Sequence, residues 1–117
     1  MRPFFTEWHT KLLKLFLIAA LLDFGITQIG VHLYGGEEAN PVFAPIQHDF
    51  ISFFLLSAIY NSLLIAYIIG GSFLNTFFTK KFDKLSYLFI TLMFYSGITA
   101  HLLGFASWIP LIFGFFP

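Results

Sequence analysis

The chain has 117 residues, of which 58% are hydrophobic and only 10% are charged, and its six Lys and Arg balance its six Asp and Glu. A soluble domain usually carries about 25% charged residues, so this composition predicts a surface that faces lipid. Zero net charge without a basic stripe argues against a nucleic-acid partner, and the lack of cysteine excludes thiol chemistry. The length favours a single domain over residues 1–117.

Three long apolar segments predict an all-α, polytopic transmembrane helical bundle. The spans are predicted at about residues 12–34, 50–78 and 85–108. A bilayer core of about 30 Å needs roughly 20 apolar residues of helix, so each segment is long enough to cross. The second segment is long for one straight span, and it either tilts or breaks at Gly70-Gly71.

The segment after the third span, residues 109–117, is apolar but too short to cross a membrane. Pro110 lacks a backbone N–H and clashes with the preceding turn of a helix. We therefore expect it to end or kink the third helix near Ser107. The residues that follow are expected to form a short apolar C-terminal tail, which lies in the interface or packs against the bundle.

The distribution of cations predicts how the bundle is oriented in the cell membrane. All six lie in the N-terminal segment or between the second and third spans: Arg2, Lys11, Lys14, Lys80, Lys81 and Lys84. The first loop, residues 35–49, carries Glu37, Glu38 and Asp49 but no Lys or Arg. The positive-inside rule therefore predicts a cytoplasmic N-terminus and, after three spans, an extracytoplasmic C-terminus.

Polar residues within the predicted spans are the first candidates for a functional site. Asp23 lies near the middle of the first span, where a carboxylate costs roughly 3 kcal/mol on insertion scales and needs a partner. Thr27 lies one turn further along the same face. Counting residues from the predicted span ends places Asn61 and Ser96 at similar depth, so we expect Asp23 and Asn61 to meet inside the bundle. Two roles remain open, namely structural pairing that fixes helix register and proton or ion transfer.

A second group of candidates lies toward the predicted outer end: His32, His48, His101, Glu37 and Glu38. His101 shares a strip of small residues with Gly97 and Gly104. This strip predicts either a packing seam, in which the histidine bonds a neighbouring helix, or space for a cofactor. Neutral imidazole is a common ligand of haem iron, and carboxylates together with imidazoles bind divalent metals. The spacing is not diagnostic of either, so the cofactor remains open between haem, a divalent metal and none.

The first span and the first loop together contain a sequence motif. Its residues are Asp23, Thr27, Gly35, Glu38, Asn40 and Pro41. The motif resembles that of a family of small, uncharacterised prokaryotic membrane proteins, which have an Asp-x3-Thr first span and a Gly-x-x-Glu-x-Asn-Pro loop. The family has no assigned activity, so the resemblance implies no reaction. It does imply that the motif residues act as one unit, with Glu38 and Asn40 folded over the face that carries Asp23.

Three functions remain open from these residues. The first is a small accessory or oligomer-forming subunit of a membrane complex, with a polar site that opens to the extracytoplasmic side. The second is a metal- or haem-binding redox protein or enzyme that uses His32, His48 and His101. The third is an ion or proton conductor that uses Asp23 and Asn61. In each case lipid is a partner, and a homo-oligomer or larger complex is expected because three helices with small-residue seams bury little surface among themselves.

Overall fold

The structure is a computed structural model that describes residues 6–79 and 84–114 of the chain. Three parts of the predictions lie outside these residues: the cation Arg2, the loop cations Lys80 and Lys81, and the end of the tail at 115–117. Within the described residues, three long helices account for nearly all of the secondary structure. All three are long and apolar enough to cross a membrane, so the predicted three-span all-α bundle is confirmed.

The helices begin and end close to the predicted boundaries, except at the start of the first and the end of the third. Helix α1 covers Glu7–Tyr34, α2 covers Phe50–Thr79 and α3 covers Lys84–Ile112. A single 3-10 turn, Ala44–Ile46, lies in the first loop. Helix α2 is continuous through Gly70-Gly71, so the second span is one helix and not two.

Helix α1 is capped at both ends by local hydrogen bonds. At its start, the His9 N–H donates to the Thr6 hydroxyl over 3.2 Å, and the Thr6 N–H donates back to Nδ1 of His9 over 3.3 Å. At its end, Gly35 adopts the left-handed conformation (φ 67°), and the Gly36 N–H donates to the Gly30 carbonyl over 2.9 Å. These bonds satisfy backbone groups that a helix end leaves unpaired. Helix α1 therefore ends at Tyr34, as the predicted span of residues 12–34 implies.

The first loop turns at Asn40-Pro41, with the Phe43 N–H donating to the Asn40 carbonyl over 3.1 Å. Asp49 then marks the start of α2, because its carboxylate accepts the Ser52 N–H over 3.3 Å and the Ser52 hydroxyl over 2.7 Å. The hydrogen bond from the Ser52 side chain lowers the pKa of Asp49. A carboxylate at this position also interacts favourably with the helix dipole.

Pro110 does not end α3, so the predicted end near Ser107 is wrong. The helix continues to Ile112 with the proline inside it. Trp108 is 8% exposed and packs against Val31 of α1, which holds this last turn in place. A membrane helix tolerates proline where neighbouring helices pack against it and the freed backbone groups find other partners. The start of the predicted tail is therefore the last turn of α3.

Helix α3 packs mainly against α1, while α1 and α2 make little contact with each other. Away from the helix contacts, large apolar side chains face outward; Leu33 and Phe78, for example, are 75% and 76% exposed. Such a surface is suited to lipid, and it supports a membrane location. The main core contains five fully buried residues: Leu12, Phe16, Ile68, Ile90 and Phe94.

The close contact between α1 and α3 yields a test of the fold. A Cβ at Gly30 would overlap the indole of Trp108, whereas a Cβ at Gly25 would have no neighbour within 4 Å. We predict that Gly30→Ala destabilises the protein by about 1–3 kcal/mol through overpacking. Gly25→Ala should be neutral or slightly stabilising, because alanine favours helix. The measurement is unfolding in mild detergent, followed by circular dichroism, and equal stability of the two variants would contradict this packing.

Candidate functional site

A partly open cavity of about 810 Å³ lies between the three helices and the first loop. Most of its wall is apolar and includes the rings of Phe24, Phe43, Phe53, Tyr60 and Trp108. Six of the polar residues predicted from the sequence also line it: Asp23 and Thr27 from α1, Asn61 from α2, His101 from α3, and Glu38 and Asn40 from the loop. The cavity therefore combines a large apolar volume with a few polar groups.

His101 is bonded to both Asp23 and Asn61. Its Nδ1 lies 2.8 Å from Oδ2 of Asp23, and its Nε2 lies 2.8 Å from Oδ1 of Asn61. The sequence prediction placed Asp23 and Asn61 in contact with each other, but in the structure the imidazole stands between them. One side chain of α3 thus connects α1 and α2, in a set of three residues that we call the polar cluster.

The hydrogen bonds of Asn61 define where the histidine carries hydrogen. The Asn61 side-chain Nδ2 donates to the Ser57 carbonyl over 2.8 Å, which leaves Oδ1 to face His101. Because an amide oxygen can only accept, Nε2 of His101 must carry a hydrogen. On the other side, one proton lies between Nδ1 and Asp23, held either by the imidazole or by the carboxyl group. The pair has no net charge in either arrangement, which reduces the cost of placing a carboxylate within the membrane.

Two glycines of α3 make room for the polar cluster. A Cβ at Gly104 would lie 2.6 Å from Oδ1 of Asp23, so only glycine lets the carboxyl group come this close to the helix. A Cβ at Gly97 would lie 2.6 Å from the ring of Phe16. That ring is fully buried, with its centroid 5.3 Å from the imidazole centroid of His101. The small-residue strip therefore acts as a packing seam and also positions the histidine.

The first loop folds over the cavity through hydrogen bonds of its own. The Glu38 N–H donates to the side-chain oxygen of Gln47 over 2.7 Å, and the Asn40 N–H donates to Oε1 of Glu38 over 3.0 Å. These bonds hold Glu38 and Asn40 at the cavity wall, which they share with Asp23 and Thr27. The four polar residues of the sequence motif thus surround a single space.

Five other predicted site residues do not line the cavity: Ser96, Glu37, His32, His48 and Pro41. Ser96 is exposed, and five residues of helix turn it about 140° away from His101. Nε2 of His32 donates to the side-chain oxygen of Gln28 over 3.1 Å, and the ring centroids of His32 and His48 are 6.4 Å apart. His32 and His48 therefore lie near each other, but outside the cavity wall to which His101 belongs.

The geometry offers little to a metal ion or haem. Within residues 6–79 and 84–114, no group of three His, Asp or Glu side chains is placed to hold a metal. Both ring nitrogens of His101 are occupied by Asp23 and Asn61, so ligation by this residue would require one of these bonds to break. The metal and haem hypotheses stay predictions.

Comparison of the chain with family models, curated proteins and solved structures finds no match. The resemblance carried by residues 23–41 therefore stays a prediction. What the chain does has to be argued from the cavity and the residues that line it.

Two contributions to the site were not predicted from the sequence. These are the ring of Phe16 and the Ser57 carbonyl that orients Asn61. An Asn side chain within a helix can bond the carbonyl four residues before it, and this tendency was a usable signal for the Ser57 contact. For Phe16 there was none, because eighteen Phe are spread along the chain.

A double-mutant cycle tests the bond between α1 and α3. We predict that His101→Ala destabilises the protein by about 3 kcal/mol, because it leaves the Asp23 carboxyl group without its partner. The double variant with Asp23→Ala should be more stable than the sum of the single changes implies, by about 1–3 kcal/mol. Ser96→Ala, on the same helix but outside the cavity, should change stability by less than about 0.5 kcal/mol. Additive effects in detergent unfolding would show that the two side chains are not coupled.

Proposed function

We propose that this protein binds an amphipathic small molecule within the membrane, with the polar cluster as its polar attachment point. The observation that carries this proposal is the cavity, which has walls from all three helices and the first loop. Ligand sites are typically clefts of about 300–1,000 Å³, mostly apolar, with a few placed polar groups. A volume of about 810 Å³ with one polar cluster fits that description.

The exposure of the polar groups supports binding over a purely structural role. The side chains of His101 and Asp23 remain 21% and 24% exposed, so the cluster is open to the cavity instead of sealed by packing. Thr27, one turn from Asp23, lines the same space, and its hydroxyl has no partner in the described part of the chain. These groups can form directional hydrogen bonds with a ligand, while the aromatic wall covers its apolar part.

We further infer that the end of the cavity covered by the first loop lies on the extracytoplasmic side. Lys11 and Lys14 lie near the start of α1, whereas Glu37, Glu38 and Asp49 lie beyond its end, in a loop without cations. The positive-inside rule favours a cytoplasmic location for the end with Lys. The loop that folds over the cavity would then be outside, together with the C-terminal end of α3.

A second candidate is the role of a subunit in a homo-oligomer or a larger membrane complex. Helix α2 carries a stripe of small residues one turn apart: Ala58, Ser62, Ala66 and Gly70. The first three are exposed, and a Cβ at Gly70 would have no neighbour within 4 Å. Small faces of this kind allow a further helix to approach closely. Because Ala58 and Ser62 also line the cavity, such a helix would cover its open side.

Proton conduction through Asp23 and Asn61 receives less support. The polar cluster can hold one proton, but transfer across the membrane needs a chain of such groups. Beyond Asp23 and His101, the titratable side chains of the cavity lining are Glu38 and Tyr60. No such group lies on the inner side of the cluster in this lining, so a conducting path is not visible there.

Native mass spectrometry of the protein released from mild detergent tests the binding function. Wild type is expected to retain an amphipathic molecule, or to take one up from a mixture, in a one-to-one ratio. Ala58→Trp should abolish this retention, because the indole would fill part of the cavity. Ala66→Trp, two turns further along α2 and outside the lining, is the matched control and should retain the ligand. Equal occupancy in both variants would contradict binding in this cavity, and the same spectra report any oligomer.

Labelling of single cysteines tests the orientation, since the chain contains no cysteine of its own. Glu37→Cys should react with a membrane-impermeant maleimide in intact cells. Lys11→Cys should react only after the membrane is permeabilised. Both positions are exposed, so access to the reagent depends on the side of the membrane and not on burial. The reverse pattern would overturn the proposed orientation.

A further inference from the structure

The charges that line the cavity are unevenly distributed. Its titratable side chains are Asp23 from α1, Glu38 from the loop, Tyr60 from α2 and His101 from α3, and none of its lining residues in the described chain is Lys or Arg. Two carboxyl groups therefore face one imidazole. Even when His101 carries both ring hydrogens, the lining retains a negative charge in excess.

The excess charge belongs to Glu38, since Asp23 is paired with His101. Two hydrogen bonds hold Glu38 at the wall. Its N–H donates to the side-chain oxygen of Gln47, and its Oε1 accepts the Asn40 N–H. An anionic ligand would meet this carboxylate, and no Lys or Arg in the lining would offset the repulsion, because His101 is already paired with Asp23. A cationic ligand would gain from the same carboxylate, and the gain is larger where the surroundings exclude water.

The aromatic part of the wall also favours a positively charged ligand. Six rings line the cavity: Phe24, Phe43, Phe53, Phe54, Tyr60 and Trp108. The faces of aromatic rings carry negative electrostatic potential and attract cations, with tryptophan the strongest. The apolar remainder of these rings suits a ligand whose charge is attached to a bulky hydrocarbon body.

We infer that the ligand class of this cavity is a lipophilic organic cation, meaning a molecule with a single positive charge on an apolar or aromatic body. This inference rests on the proposed binding function and adds the sign of the ligand's charge. It also gives Glu38 a role as the counter-charge at the wall. The neighbouring Glu37 is exposed and does not line the cavity, so it has no such role.

Two probe ions of nearly equal size and opposite charge test the inference. Tetraphenylphosphonium and tetraphenylborate are titrated calorimetrically into the purified full chain in dodecyl maltoside micelles, and Ala58→Trp protein in the same micelles corrects for partition. Tetraphenylphosphonium should bind at least about tenfold more tightly than tetraphenylborate. Glu38→Gln should weaken its binding by about tenfold, while the side-chain oxygen can still accept the Asn40 N–H. Glu37→Gln removes the same charge from the same loop and should change binding by less than about twofold.

The outcomes separate this inference from the proposed function. If both ions bind equally, or if Glu37→Gln and Glu38→Gln have the same effect, the cavity binds apolar molecules but does not select cations. The inference then fails, while the proposed binding function stands. If neither ion binds more tightly to wild type than to Ala58→Trp protein, the inference also fails. The proposed function is then decided by ligand retention in native mass spectra.

A further titration identifies the source of the cation. Phosphatidylethanolamine also carries an ammonium group, attached to a lipid. If this lipid, added to the micelles, does not displace tetraphenylphosphonium, the cavity selects free lipophilic cations, as inferred. Displacement at equimolar lipid would overturn that part and assign the cavity to an amine headgroup.

Discussion

The need to neutralise a carboxyl group near the middle of a membrane helix determines much of this structure. Asp23 lies well inside α1, and an unpaired carboxylate at such a position is costly in lipid. His101 removes that cost with a single bond of 2.8 Å. Asn61 then fixes the imidazole from the other side. Two further residues serve this bond. Gly104 provides space for the carboxyl group, and the ring of Phe16 supports the histidine.

The cavity is a consequence of the same arrangement. Helix α1 packs tightly on α3, but it makes little contact with α2. The bond from His101 to Asn61 holds α2 at the distance of an imidazole ring, too far for α1 and α2 to close the gap between them. Aromatic side chains line that gap without filling it, and the first loop covers one end. The pairing of the polar side chains and the volume of the cavity therefore have a common structural origin.

Most of the fold could be predicted from the sequence, because lipid imposes a simple rule on length and hydropathy. The predicted boundaries at residues 34 and 50 match the end of α1 at Tyr34 and the start of α2 at Phe50. The end of α3 could not be predicted in this way. Pro110 predicted an earlier end, but Trp108 packs on α1 and keeps the last turn helical.

That error also explains the incomplete prediction of the site. With α3 taken to end about one turn too early, the count of residues placed Ser96 at the depth of Asp23 and left His101 near the outer end. Depth alone also ignores the direction in which a side chain points, and Ser96 faces away from the cavity. Asp23, Thr27 and Asn61 were identified because a polar residue inside a membrane span is costly and therefore usually has a partner or a function. His101, which connects Asp23 to Asn61, was assigned to a different group.

The distance along the chain between Asp23 and His101 has a consequence for biosynthesis. The two residues are 78 positions apart, in the first and last helices. Ribosomes deliver helices to the membrane in order, so α1 enters before its partner exists. During that interval Asp23 must be protonated, solvated or shielded by the insertion machinery. A chain truncated before α3 would retain in its first helix a carboxyl group without its histidine partner.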